Sequence, residues 1–104
     1  MSTPAQGEVW WAEAEDKRRP VLICTRDEAI AVLRTLVVAP VTRTVRGIPS
    51  EVALGRDEGL AVKCAANFDS LQAIPRSALT QRVGALDPIR RSELCAALRA
   101  VSDC

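Results

Sequence analysis

Two short stretches hold the side chains best suited to chemistry: Arg19 in Lys17-Arg18-Arg19-Pro20, and Thr42 in Ala39-Pro40-Val41-Thr42-Arg43-Thr44. Arginine's planar fork matches phosphate oxygens and keeps its charge at any working pH, and a threonine hydroxyl can donate to the same group. A strand of RNA brings its own nucleophile, the 2′-hydroxyl, so a protein that cuts it must orient that group, move its proton and stabilise charge on the phosphoryl oxygens. A fixed guanidinium could supply on the order of 3 kcal/mol of that stabilisation, by analogy with one oxyanion-hole donor. The chain has no histidine, so the usual acid–base pair is absent and the work falls to arginine, hydroxyls, carboxylates or the RNA itself. Arg19 and Thr42 are read as one metal-free centre for an RNA phosphate, with Arg18, Arg43, Thr44 and Arg46 as candidate RNA-binding neighbours.

Composition bounds this reading. At 104 residues the chain is sized for one domain spanning 1–104, burying roughly two-thirds of the surface its unfolded form exposes. Net charge is only +1, which alone argues against nucleic acid, but twelve of the fourteen cations are arginine, so local clusters outweigh the total. Trp10, Trp11 and Phe68 are the only aromatics, too few for a surface that grips bases by repeated stacking, and neither tryptophan is assigned that role. Four cysteines without a C-x-x-C and without histidine give no zinc pattern, and no cofactor is expected. Cys24 and Cys64 sit in apolar runs and read as core residues, with Cys104 a terminal thiol. The first residues carry no signal-peptide pattern and no apolar run reaches spanning length, so a cytoplasmic protein with reduced thiols is expected.

The elements that must position these residues are short. Glu8–Ala12 and Pro20–Thr25 read as strands joined by a solvated turn over Glu13–Arg19, with Pro20 opening its strand and Arg19 on the rim. Asp27–Leu33 allows a helical turn or two, and Thr35–Val41 is a buried strand whose Pro40 marks an edge or bulge. Arg43–Pro49 is a loop. Further strands follow at 50–54, 61–67, 70–74 and 81–86, with a helical turn at 75–79. Asp87-Pro88 then opens a helix to about Val101, with Ile89, Leu94, Ala97, Leu98 and Val101 on its apolar face. One of Trp10 and Trp11 faces the core and the other a surface such as a dimer interface. Many short strands plus one terminal helix predict a mainly β fold with a C-terminal helix (α+β), a small bent sheet or barrel.

Taken in order, Gly7-Glu8-Val9-Trp10, Arg19-Pro20-Val21-Leu22-Ile23, Val38-Ala39-Pro40-Val41-Thr42, Asp69-Ser70-Leu71-Gln72-Ala73-Ile74 and Arg82-Val83-Gly84-Ala85-Leu86 resemble the successive blocks of the MazF/PemK endoribonuclease toxins of type II toxin–antitoxin systems. The resemblance runs from about residue 6 to 101. It implies an SH3-like barrel of the MazF/PemK/CcdB toxin type, a homodimer, and cleavage of single-stranded RNA at a short sequence, leaving a 2′,3′-cyclic phosphate and a 5′-hydroxyl. It places Arg19 and Thr42 on the family's catalytic arginine and threonine, and implies a cognate antitoxin whose disordered acidic segment covers the RNA groove. The family's longer first loop, Gly-Ser-Glu-Gln before Arg-Pro, is missing here. Glu15 and Asp16 are the candidates for the acid/base carboxylate that loop often carries, against a reading as solvated turn charges, and Ser70 replaces a frequent glutamine. Two alternatives stay open. A CcdB-like gyrase-binding toxin shares the barrel but ends in Trp-Gly-Ile, whereas this chain ends Val101-Ser102-Asp103-Cys104. A degenerate member would only bind RNA or antitoxin.

Overall fold

A computed structural model describes residues 3–14 and 16–102. The strands are β1 (Glu8–Ala14), β2 (Lys17–Ile23), β3 (Thr35–Thr42), β4 (Glu51–Leu54), β5 (Cys64–Asn67), β6 (Gln72–Pro75) and β7 (Leu79–Ala85). The helices are α1 (Asp27–Ile30) and α2 (Arg91–Ser102), with 3-10 turns at Arg56–Glu58, Phe68–Ser70, Arg76–Ala78 and Pro88–Arg90. The sheet runs β4-β5-β3-β2-β1-β7, with β6 pairing a second stretch of β3, and every pair is antiparallel.

The central strands bury both faces, which is why Val21–Cys24 is a continuous apolar run rather than an alternating one. Val9, Leu22, Ala39, Val41, Val52 and Phe68 meet Leu94 and Ala97 of α2 on one face. Trp10, Val21, Ile23, Val38, Ile30, Leu36 and Leu79 close the other. Cys24 and Cys64 are both buried, as expected from their apolar surroundings, and burial pushes the Cys24 thiol up to about 12.

Pro40 sits where β3 changes partners. Thr35–Val38 pair with β6, Val41 and Thr42 pair with β5, and Ala39 and Pro40 have no rung on that side, so the missing N–H falls at a corner of the sheet. Pro20 does not open β2. The strand begins three residues earlier, because β1 and β2 form a tight hairpin through Ala14↔Lys17 in place of the expected turn over 13–19. The β2–β3 ladder reaches only Val21↔Pro40, which leaves one side of Pro20 open for a residue that has no N–H to donate. Ile89 also departs from the expected stripe. It lies in the 3-10 turn before α2 and is 87% exposed, since the helical phase that seats Leu94 and Ala97 starts only at Arg91. Asp87 does cap this entry, accepting from the Ile89 N–H at 3.0 Å.

No ladder joins the two outer strands, β4 and β7. Instead the loop after β4 is pressed on β7: a Cβ on Gly84 would overlap the Glu58 carbonyl, and one on Gly59, whose φ is +91°, would meet the Val83 carbonyl at 2.5 Å. This backbone contact closes the curled sheet.

Glu8 ties the N-terminal segment to the sheet. Its carboxylate accepts from the Ala5 N–H (2.8 Å), the Trp10 indole (3.0 Å) and Arg82 (2.8 Å). Burial alone would raise its pKa, but the Trp10, Arg82 and Ala5 hydrogen bonds and the Arg82 charge outweigh that and hold it below the usual 4.5. A depressed carboxylate stabilises the fold above its unfolded value and loses that contribution as pH falls through the folded one. Glu8→Gln should therefore melt lower than the wild type at pH 7, with the gap closing as pH drops below 4.5. A melting difference that is constant from neutral to acid pH would contradict this.

Candidate functional site

The two residues singled out first lie on neighbouring strands. Arg19 pairs with Ala12 of β1, and continuing the β2–β3 register from Val21↔Pro40 by two residues sets Arg19 opposite Thr42. Residues opposed across antiparallel strands have Cβ atoms about 5 Å apart and share a face. Arg19 is exposed and, among the described residues, its side chain makes no hydrogen bond or ion pair. The Thr42 Oγ1 accepts from the Thr44 N–H at 3.1 Å. That contact fixes the hydroxyl as the loop begins and leaves its hydrogen to donate to a ligand.

The loop after Thr42 is held from below. Glu51 Oε1 accepts from the Arg46 N–H (2.9 Å) and the Gly47 N–H (3.0 Å), while its other oxygen is buried without a partner among the described residues. At the loop's end the buried Ser50 hydroxyl donates to Asp69, and Asn67 accepts from the Asp69 N–H. Asp69, quoted above as part of a block, is thus a brace for this loop. Arg43, Thr44 and Arg46 are all exposed on it, and the guanidinium groups of Arg43 and Arg46 pair with nothing among the described residues.

Arg18 has a different setting. Its guanidinium lies 4.4 Å from the centroid of the Trp11 ring and donates to Gln81 Oε1 at 3.1 Å. Of the two candidate carboxylates, Asp16 is exposed in the β1–β2 turn, and Glu15 lies outside the described residues. Three residues of strand separate Asp16 from Arg19, roughly 10 Å at the usual rise.

Two cavities flank Thr42 and Arg43. The smaller, about 330 Å³, has apolar walls from Trp11, Pro20, Val41, Leu60 and Val83, with Thr42 and Arg43 at its rim. It shares Arg43, Ala61, Val62 and Cys64 with a broader depression of about 1000 Å³, where Arg56, Lys63 and Arg90 add positive charge. Arg19 lines neither cavity. Cys64 stands between them as an inert thiol: burial and the nearby Glu58 charge push its pKa up, and Arg43 offsets only part of this. Among the described residues no three His, Cys, Asp or Glu side chains gather as a metal site would require, and no helix is long and apolar enough to cross a membrane.

Residue-by-residue reading missed the cavity. Its walls come from β1, β2, β3, β7 and the 59–62 loop, and no sequence spacing brings those together. The one local signal was Trp11, an aromatic on a strand whose other tryptophan, Trp10, is buried.

Comparison with known proteins adds three findings. Residues 5–102 match the family model described as PemK-like, MazF-like toxin of type II toxin-antitoxin system. The chain is 46% identical over 104 residues to the "Probable endoribonuclease MazF5" of Mycobacterium tuberculosis, covering 97% of this chain and 94% of that one. Among solved structures, the Mycobacterium tuberculosis toxin MazF-mt6 superposes with a TM-score of 0.85 at 34% identity, over 92% of this chain and 96% of that one. An endoribonuclease from a mycobacterial species, in complex with its cognate antitoxin, shares the fold, with a TM-score of 0.83 at 23% identity over 95% and 94% of the two chains.

Proposed function

The chain belongs to the PemK/MazF toxin family of type II toxin–antitoxin systems, and from that premise we propose that it is a sequence-selective endoribonuclease that cleaves single-stranded RNA without a metal. The observation that carries the reading is the strand register that sets an unpaired, exposed Arg19 opposite Thr42, whose hydroxyl oxygen is already occupied and whose hydrogen is available.

In the proposed reaction the 2′-oxygen attacks phosphorus, its proton passes to a base, and the P–O5′ bond breaks as O5′ gains a proton. The products are a 2′,3′-cyclic phosphate and a 5′-hydroxyl, and no water is consumed. Arg19 neutralises the charge that grows on the non-bridging oxygens, and Thr42 donates to one of them. Arg43, Thr44 and Arg46 hold flanking phosphates from a loop that Glu51 and Asp69 brace, with Arg18 a further contact. Glu15 and Asp16 are the carboxylates placed to move protons. The toxin acts in the cytoplasm as a homodimer, slowing translation and growth, and an acidic antitoxin segment silences it by occupying the basic surface around Arg43, Arg56, Lys63 and Arg90.

Purified protein incubated with a long unstructured RNA in EDTA should cut it at few sites and leave cyclic phosphate ends, with binding that weakens as salt rises. No cleavage of any RNA, or cleavage that EDTA abolishes, would sink the proposal.

A further inference from the structure

The cavity walled by Trp11, Pro20, Val41, Leu60 and Val83 opens beside Thr42 and Arg43, and we propose that it holds one unstacked nucleobase of the RNA next to the phosphate that is cut, making Trp11 a specificity-determining residue. The inference rests on the endoribonuclease reading and goes beyond it by assigning a base pocket.

Its size and lining fit. A volume of about 330 Å³ is at the lower end for small-ligand sites, which are apolar concavities with a few polar groups that fix orientation. One purine or pyrimidine is a ligand of that scale; a helix or an extended peptide is not. Single-stranded RNA is read by splaying a base out onto an aromatic face and hydrogen-bonding its edge. Trp11 supplies the aromatic surface. Arg18, 4.4 Å from its ring centroid and tied to Gln81, holds the indole in place. Further along the wall, the backbone N–H and C=O groups of Ala61 and Val62 have no partner among the described residues, and they can pair with a base edge. Thr42 and Arg43 at the rim place the phosphate, so a nucleotide that seats its base here has its backbone at the centre described above.

Residue composition argues against this pocket, because a chain with three aromatics cannot stack a run of bases. The cavity changes that conclusion for one base only. Trp10, the neighbouring ring, is buried and bonded to Glu8, and takes no part.

The test uses the full protein and a set of single-stranded oligoribonucleotides spanning a mapped cleavage site, each with one abasic position. Losing a base–aromatic stack costs about 5- to 150-fold. For the wild type, one abasic position near the cut should lower kcat/KM by that factor. Trp11→Ala should lose the same factor on the intact RNA, lose little more on that abasic RNA, and relax base preference at that position alone. Trp11→Phe, which keeps the aromatic wall, should recover much of the loss, separating stacking from misfolding. If wild type and Trp11→Ala cut with the same rate and preference, the base pocket is wrong while the nuclease reading stands. If neither cuts any RNA, the nuclease reading itself fails. Trp11→Ala that keeps its cleavage pattern but escapes inhibition by the antitoxin would overturn the proposal by showing the cavity to be a protein anchor.

Discussion

Arg19→Ala should lower kcat/KM for RNA cleavage by about 10²- to 10³-fold, the cost of removing one preorganised donor from a developing oxyanion, with melting shifted by no more than about 0.5 kcal/mol of stability. The two halves of that expectation have separate grounds. Arg19 is exposed and pairs with no other side chain among the described residues, so the fold does not depend on its guanidinium. Its backbone is fixed by the β1–β2 hairpin, where Ala12↔Arg19 is an interior rung, so the charge is delivered from a rigid strand. Lysine at this position keeps the charge but loses the planar fork and should recover only part of the rate.

Thr42→Ala removes a hydrogen bond to a charged group, worth about 10- to 150-fold. Because both side chains address one phosphate, the double variant should lose less than the product of the single losses. Wild-type rates for Arg19→Ala would move the site elsewhere on the sheet, and Arg43, which lines both cavities, would be the next residue to test.

The second large effect concerns stability. Glu58 is 4% exposed, and its carboxylate accepts from the Gly55 N–H at 2.6 Å and pairs with Arg90 at 3.1 Å. It therefore ties the loop after β4 to the turn that starts the C-terminal helix, beside the Glu58–Gly84 backbone contact that closes the sheet. Removing one partner of a buried pair costs about 3–5 kcal/mol, chiefly through the charge left behind. Here the low end applies: the Arg90 side chain is 27% exposed and keeps Glu93 at 2.8 Å and the Ala53 carbonyl at 2.7 Å. Glu58→Ala should thus cost about 3 kcal/mol and lower Tm by more than about 10 °C. Its catalytic effect should be indirect, through a loosened 59–62 segment in the cavity wall. A Tm within about 2 °C of wild type would show that the Gly84 contact and the helix entry hold without this carboxylate.

How far the sequence could be read follows the range of the interaction. The Val21–Cys24 run announced a strand buried on both faces, Asp87-Pro88 announced the helix entry, and Pro40 announced a break in pairing; each is a local property of a few residues. Arg19 and Thr42 were each visible as rim residues, yet their opposition depends on the Val21↔Pro40 register, which sequence alone does not give. Pro20 was misread as the start of a strand because a charged stretch, Glu13–Arg19, was taken for a turn when most of it is an exposed hairpin. The closure of the sheet through Gly84 and the loop holding Glu58 was invisible for a different reason: a glycine needed for close approach looks, in sequence, like any other glycine.

The central claim is that the RNA's own 2′-oxygen is the nucleophile at a centre built from Arg19 and Thr42. The most direct measurement places a single 2′-deoxy nucleotide immediately 5′ of the mapped scissile phosphate and follows cleavage in EDTA. The account predicts that the intact RNA is cut to a 2′,3′-cyclic phosphate while the substituted strand stays whole at that junction and binds with similar affinity. Cleavage of the deoxy-substituted junction at the rate of the intact one would contradict it.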